Sequence, residues 1–212
     1  MSSRDQILGK LREATRPFPT ITSPTTYRPM VPRRDISPAT LQAQFVAEAE
    51  KAACVMHQVE TSEAAIAAIL DVIGEYTTIS SWDLEHGPIP GLAEALDAAN
   101  ITRVGQDADV RVGLTGVDAA LAATGSVVVM SGNGRYRAAS LLPPVHIAVV
   151  TAGQIVPDLE SWWAAQKEAG LAQTRQHSNI VIITGPSRTA DIAMQLVMGM
   201  HGPRELHLIF LP

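Results

Sequence analysis

The stretch ITGPSRTADIAMQLVMGMHGPRELHLIFL, residues 183–211, decides the fold class of this chain. It begins at the end of the apolar run NIVIIT, which is typical of a buried strand and closes at Gly185-Pro186. QLVMGM then carries apolar residues at helical spacing, and LHLIFL has the pattern of another buried strand. The stretch therefore predicts a strand, a loop, a helix over residues 189–200 and a second strand.

The loop of this stretch is a candidate anion site formed by Ser187, Arg188 and Asp191. The first N–H groups of a helix lack partners within the helix and carry a partial positive charge, to which Arg188 adds a full charge. An alternative needs no ligand: Ser187 or Thr189 caps the helix, and Arg188 pairs with Asp191. Both interpretations stay open at this point.

Helices and strands alternate over the rest of the chain from Ser37 onward. Helices are predicted after Ser37-Pro38 and over residues 62–73, 91–99, 117–124 and 157–170, and the apolar segments predicted as strands are AACVMHQV, TTIS, ITRV, VRVGLT, SVVVM and HIAVV. Strands this apolar, separated by helices, indicate an α/β domain over residues 39–212. Its mainly parallel sheet is expected to carry helices on both faces.

Residues 1–38 are predicted to form a separate N-terminal part. Residues 5–14 have apolar side chains at three- and four-residue spacing, which indicates a short amphipathic helix. The following prolines forbid regular structure and favour an extended arm that lies over the domain or a partner subunit, or a mobile tail: Pro17, Pro19, Pro24, Pro29, Pro32 and Pro38.

The composition narrows the class of function. The chain has 212 residues, a net charge of −5 and 46% hydrophobic residues, so it has a sizeable core and no basic excess for nucleic acid. No apolar run approaches the length of a membrane span, and the first residues lack the pattern of a signal peptide. We therefore expect a cytoplasmic protein.

Cys54 is the only cysteine and lies in an apolar segment. A cysteine-held iron–sulfur cluster needs several thiolates, so none is expected in this chain. The six histidines show no helical pair with ligand spacing, and no metal site is predicted. His146 is expected to be a core histidine, and His201 to belong to a helix end.

Further candidate residues follow the predicted strands, because ligands of open parallel sheets bind beyond the carboxyl ends of the strands. Asp118 and Thr124 follow VRVGLT, and Asn133 and Arg135 lie in the glycine-rich SGNGR after SVVVM. SGNGR is equally typical of a hairpin turn, and Asp118 could simply cap a helix. If NIVIIT and SVVVM are parallel, Arg135 and Arg188 would share one anion site.

Several ordered blocks together resemble one family, namely LTGVDAALAATGSVVV, SGNGRYRAASLLPPVHIAVV, IVPDLE, ITGPSRTADI and HGPRELHLIFL. They are similar to the lactate utilization protein C family, whose members carry the LUD domain. The resemblance spans residues 113–211 strongly. It implies a fold similar to the ribose-phosphate isomerase and coenzyme A transferase group.

The resemblance also implies a role in the oxidation of L-lactate to pyruvate, as a part of an iron–sulfur lactate dehydrogenase complex whose clusters lie in partner proteins. The leading hypothesis is an accessory subunit without a redox centre that binds a small carboxylate or an anionic cofactor. Arg135 and Arg188 would neutralise the anion, Thr124, Asn133 and Ser187 would orient it, and Asp118 and Asp191 would position those groups.

Two alternatives remain. One is a stand-alone enzyme of the isomerase or cyclo-ligase type that acts on a phosphorylated small molecule, for which Asp118 is the candidate base. The other is a binding module that senses a metabolite.

Overall fold

The computed structural model describes residues 3–13, 35–84, 89–105, 107, 109–190 and 196–212. The helices are α1 Ser3–Glu13, α2 Pro38–Lys51, α3 Ser62–Ile73, α4 Leu92–Ala98, α5 Ala138–Leu141, α6 Leu159–Glu168 and α7 Ala172–Gln176. The strands are β1 Val55–Gln58, β2 Thr78–Ser81, β3 Thr102–Val104, β4 Val112–Gly116, β5 Ala119–Leu121, β6 Ser126–Ser131, β7 Val145–Thr151, β8 Ile155–Val156, β9 Asn179–Ile183, β10 Arg188–Ala190, β11 Leu196–Met198 and β12 Glu205–Leu211.

Six strands form the central sheet in the order β1-β12-β7-β4-β2-β3, and every neighbouring pair is parallel. The two longest strands, β7 and β12, are neighbours inside the sheet and pair from Glu205 with Val145 to Leu211 with Thr151. We call the side on which all six strands end the carboxyl edge. The predicted α/β class with a mainly parallel sheet is confirmed.

A second sheet has four strands in the order β8-β5-β6-β9 and was not predicted. The segment VDAALAAT, predicted as a short helix, instead forms β5 and a turn, so that prediction is wrong. NIVIIT forms β9 as predicted, but β9 runs antiparallel to β6, with Val127 opposite Ile183 and Ser131 opposite Asn179.

The two sheets and the helices bury three apolar clusters. Helices α3 and α4 pack on one face of the central sheet around Ile69, Leu96 and Ile147. On the other face, α2 and α5 pack together with the second sheet around Phe45 and Val129. Helix α6 covers the outer face of the second sheet through Trp162. The central sheet is thus covered on both faces, because its strands are apolar on both faces.

The helix predicted over residues 189–200 is wrong in the part that the structure describes. Arg188 pairs with Met198 and Ala190 with Leu196, so β10 and β11 form an antiparallel hairpin. Asp191 lies outside the described residues.

The N-terminal helix was predicted over residues 5–14 and is observed as α1. The proline-rich arm lies outside the described residues from residue 14 to residue 34, so its predicted course stays untested. Pro38 begins α2, as its fixed φ favours.

Candidate functional site

Asp118 and Arg135 form a buried ion pair at the carboxyl edge. Asp118 lies two residues after β4, and its Oδ1 accepts a hydrogen bond from Arg135 Nη2 at 2.9 Å. The other oxygen, Oδ2, accepts from the backbone N–H of Met130 at 2.7 Å. The two side chains are only 4% and 13% exposed, respectively. Water therefore screens this pair weakly, and loss of either partner would leave a buried charge.

Arg135 makes two further contacts that fix its guanidinium. Nη1 lies 2.9 Å from His177 Nε2, and the guanidinium carbon lies 4.1 Å from the centroid of the Trp82 ring. His177 Nδ1 lies 2.8 Å from the carbonyl oxygen of Gln173. Since a carbonyl only accepts and a guanidinium only donates, these contacts assign the proton of a neutral His177 to Nδ1. The guanidinium is therefore held by three side chains.

The SGNGR segment is a tight hairpin turn, as the second interpretation predicted. Gly132 and Arg135 exchange both backbone hydrogen bonds at 3.1 Å, and Gly134 takes a positive φ of 68°. Asn133 lies exposed at the tip of the turn. The turn also directs Arg135 toward Asp118, so it positions one partner of the buried ion pair.

Arg188 and Ser187 line a different cavity, of about 320 Å³, which we call the arginine pocket. Arg137, exposed in the turn before α5, and His201 also line it. None of the described residues that line it is acidic. Pro203, which lines it as well, precedes β12 by two residues, so this part of the pocket lies away from the carboxyl edge.

The sequence suggested that Arg188 either binds an anion at a helix start or pairs with Asp191 along that helix. The segment that begins at Arg188 is instead a β-hairpin, so no helix start lies beside Arg188. Arg188 Nη2 donates to the carbonyl oxygen of Ala52 at 2.7 Å, just beyond the end of α2. Ser187 accepts from the N–H of Gly199 and, through Oγ, from the N–H of His201. His201 therefore belongs to the loop after β11, and its predicted place at a helix end is wrong.

Thr124 belongs to a chain of hydroxyl groups. Its Oγ1 lies 2.6 Å from Ser126 Oγ, which lies 2.7 Å from Thr184 Oγ1. Thr184 lines the arginine pocket, whereas Thr124 does not. The neighbouring Gly125 and Gly185 lie so close to the backbone of α2 and Ala52 that a Cβ at either position would overlap it. These glycines serve helix packing.

The predicted site residues thus fall into separate groups. Asp118 and Arg135 meet at the carboxyl edge, and Ser187 and Arg188 meet in the arginine pocket. The prediction that Arg135 and Arg188 share one site is wrong, because β6 and β9 are antiparallel and the residues that follow them lie at opposite ends. Whether any of these residues binds an anion stays a prediction.

The sequence patterns did not single out Trp82, Arg137 or His177 as site residues. Trp82 directly follows β2, so the rule that inspects residues after each parallel strand would have found it. His177 follows α7 and had no pattern to mark it.

Among the described residues, three titratable groups have pKa values shifted mainly by burial. Burial lowers the pKa of His146 to about 3, and its Nε2 lies 2.9 Å from Thr115 Oγ1, which agrees with a neutral core histidine. Burial raises the pKa of the Cys54 thiol to about 11. Burial, followed by the charge of His207, lowers the pKa of His57. None of these groups belongs to the Asp118–Arg135 pair.

The part of the chain that the structure describes contains no group of three or more histidine, cysteine or acidic side chains able to hold a metal ion. In the same ranges, no helix combines the length and hydropathy that crossing a bilayer requires.

Comparison with known proteins decides the family. A model of the LUD domain matches residues 42–211. The chain belongs to the LUD domain family. A solved structure, described as a DUF162 family protein from Deinococcus radiodurans, is 21% identical with a TM-score of 0.61, covering 84% of this chain and 100% of that one. This likeness confirms the fold.

Curated relatives of this LUD domain protein carry the name lactate utilization protein C, which confirms the family resemblance. The one from Shouchella clausii is 34% identical over 69% of this chain and 68% of its own length. Those from Geobacillus sp. and Halalkalibacterium halodurans are 45% and 41% identical, with 39% and 40% of their own lengths covered. The chain therefore matches less than half the length of the latter two.

Proposed function

We propose that this LUD domain protein acts in lactate utilization as an accessory subunit that binds a small carboxylate or another small anion in the arginine pocket. The observation that carries the proposal is the lining of that pocket, in which Arg137 and Arg188 meet no acidic side chain among the described residues. The name of the curated relatives supports lactate utilization as the context. The iron–sulfur clusters and the redox step belong to partner proteins.

The pocket offers donors suited to a carboxylate. A guanidinium presents several N–H groups in a fixed plane, and hydrogen bonds from it to a carboxylate are charge-assisted. Arg188 uses Nη2 for the Ala52 carbonyl, which orients the guanidinium without neutralising it. Ser187 and Thr184 add hydroxyl groups at the same wall. The described lining of the pocket is therefore positively charged and includes polar positioning groups.

The stand-alone isomerase or cyclo-ligase alternative gains no support from Asp118. Its two carboxylate oxygens already accept hydrogen bonds from Arg135 and from the N–H of Met130. A general base must lie within hydrogen-bond reach of the substrate proton, whereas the Asp118 side chain is only 4% exposed. The role of Asp118 is to hold Arg135.

Calorimetric titration with lactate, pyruvate and inorganic phosphate tests the anion site. Because a charge-assisted hydrogen bond contributes about 1.5–3 kcal/mol, Arg188→Ala should weaken the anion that binds wild type roughly 10- to 100-fold. Arg137→Ala should weaken it as well. Arg175→Ala, an exposed arginine in α7 that does not line the pocket, is the matched control and should bind as wild type.

Equal affinities of wild type and both pocket variants, or no binding of any of the three anions to wild type, would refute the site. Thermal melts of each variant separate lost binding from lost folding. The accessory role is tested separately by affinity capture of the full chain from its native cells, with iron analysis of the bound fraction. Recovery of the chain without iron-containing partners would contradict that role.

A further inference from the structure

A cavity of about 500 Å³ opens at the carboxyl edge, beyond the ends of β2 and β3. We call it the edge cavity. Trp82 and Asp83 enter it from the end of β2, Gly105 from the end of β3, and Tyr136 from the turn after β6. The volume lies within the range of small-molecule sites, and the carboxyl ends of parallel strands are where such sites form in open sheets.

Two of the residues that line the edge cavity are aromatic, Trp82 and Tyr136. The ring of Tyr136 lies against the backbone of Gly105, where a Cβ would be only 2.6 Å from Tyr136 Cε2. The ring of Trp82 is stacked on the guanidinium of Arg135, which Asp118 and His177 hold in turn. Trp82 therefore forms a rigid wall, and Gly105 leaves the room that Tyr136 occupies.

Two polar groups of the residues that line this cavity, the Trp82 indole and the Asp83 carboxylate, have no hydrogen-bond partner among the described residues. Trp82 is 3% exposed, yet its indole N–H finds no acceptor among the described residues. Asp83 is exposed, and its backbone N–H donates to the carbonyl of Gly134, which fixes the residue at the rim. Arg103 is committed to the carbonyl of Ala93 and to Asp97. The lining of the cavity thus includes a buried tryptophan whose indole donor is unpaired among the described residues and the carboxylate of Asp83, while its arginine is already paired.

We propose that the edge cavity binds a heteroaromatic ligand of nucleoside size. The ring stacks on Tyr136, a ring nitrogen or carbonyl accepts from the Trp82 indole, and an amino or hydroxyl group donates to Asp83. The paired state of Arg103 favours recognition through the ring rather than through a phosphate. This site is separate from the arginine pocket, so either can fail without the other.

Calorimetric titration of the full chain with adenosine, AMP and ribose 5-phosphate tests this proposal. Adenosine and AMP should bind with similar affinity, and ribose 5-phosphate should bind at least tenfold more weakly. Tyr136→Ala should weaken adenosine at least tenfold. Gly105→Ala should also weaken it, because the added Cβ displaces the Tyr136 ring while no polar group is lost. Tyr76→Ala, which removes an exposed tyrosine outside the edge cavity, is the control and should have no effect.

Nuclear magnetic resonance gives a second readout that does not depend on variant stability. The indole N–H signal of Trp82, assigned by its loss in Trp82→Phe, should shift on addition of adenosine, while that of Trp163 should not. Absence of adenosine and AMP binding at millimolar concentration would overturn the proposal. So would unchanged affinity in both Tyr136→Ala and Gly105→Ala, or ribose 5-phosphate binding as tightly as AMP.

Discussion

Cys54 is a buried thiol whose surroundings explain why it is unreactive. It follows the end of α2, and burial raises the pKa of its thiol from 9.0 to about 11, while the nearby charge of Arg188 opposes this rise. Only the thiolate attacks electrophiles or binds iron. A raised pKa therefore removes the reactive form at neutral pH.

We predict that Cys54 reacts with a disulfide reagent at pH 8 about 100-fold more slowly than an unperturbed thiol, because the shift from 9.0 to about 11 lowers the thiolate fraction by that factor. The variant Cys54→Ala with Val55→Cys, which places a thiol at a position that is 43% exposed, is the control and should react rapidly. Reconstitution with iron and sulfide should leave the wild-type chain without a stable cluster. Rapid labelling of native Cys54 would contradict this prediction.

We predict that the folded chain loses stability in acid because His146 is buried in its neutral form. Its pKa is about 3 in the folded chain and 6.5 in the unfolded chain, so below pH 6.5 the unfolded state binds a proton that the folded state does not. The contribution of neutral His146 to the free energy of unfolding is fully present above pH 6.5 and decreases as the pH falls. At pH 5 the free energy of unfolding is lower by about 2 kcal/mol for this reason.

Urea denaturation between pH 8 and pH 5 measures this effect. The double variant His146→Leu with Thr115→Val removes both hydrogen-bonding partners and should show a pH dependence that is about 2 kcal/mol smaller than that of wild type. His57, whose pKa is also lowered, contributes in the same direction in both proteins. Identical pH dependence in the two proteins would contradict the assignment to His146.

Helix α5 packs against β4 through a glycine. A Cβ at Gly113 would lie 1.8 Å from the carbonyl oxygen of Ala139 and 3.2 Å from Pro143 Cγ, and both belong to backbone or ring atoms that cannot turn aside. We predict that Gly113→Ala destabilises the chain by about 3 kcal/mol through overpacking. Gly153→Ala, where no atom lies within 4 Å, is the control and should change the unfolding midpoint little. Equal midpoints for the two variants would show that α5 can move away from β4.

Most elements could be predicted from the sequence because each carries its own apolar period. The helix over 62–73 was predicted with its observed bounds, and its start is fixed by Thr61 accepting from the N–H of Ala64. The failures lie in VDAALAAT and in residues 189–200, where alanine, leucine and methionine have high helix propensity. In the second sheet, β5 pairs with β6 and β8, and in a separate hairpin β10 pairs with β11. Such strand pairing overrides the local helix propensity.

The candidate site was predicted in part. The strand-end rule located Asp118 and Arg135, because both follow strands that end near the carboxyl edge. The same rule failed for Arg188, since the direction of β9 follows from its pairing with β6 and is not encoded in the apolar run itself. Periodicity gives the type of an element but not its partner or its direction.

Because Arg135 and Arg188 lie apart, we predict that their substitutions change the free energy of unfolding independently. Arg135→Ala and Arg188→Ala should lower the free energy of unfolding additively, within about 0.5 kcal/mol, because they share no partner. Arg135→Ala and Asp118→Asn, whose side chains touch, should instead show a coupling energy of about 0.5–3 kcal/mol. Chemical denaturation of the two double-mutant cycles measures both quantities. A coupling energy well above 0.5 kcal/mol between Arg135 and Arg188 would contradict the prediction.

The antiparallel pairing of β6 with β9 also sets the distance between the two ends at which Arg135 and Arg188 lie. A strand of six residues measures about 17 Å from its first to its last residue, since each step advances about 3.4 Å. Arg135 and Arg188 follow opposite ends of the β6–β9 pair, so we expect a three-carbon acid, which is several times shorter than the strand, to contact only one of them. Simultaneous occupancy at the two ends therefore requires two molecules per chain, or one extended molecule. The stoichiometry of a saturating titration distinguishes these cases.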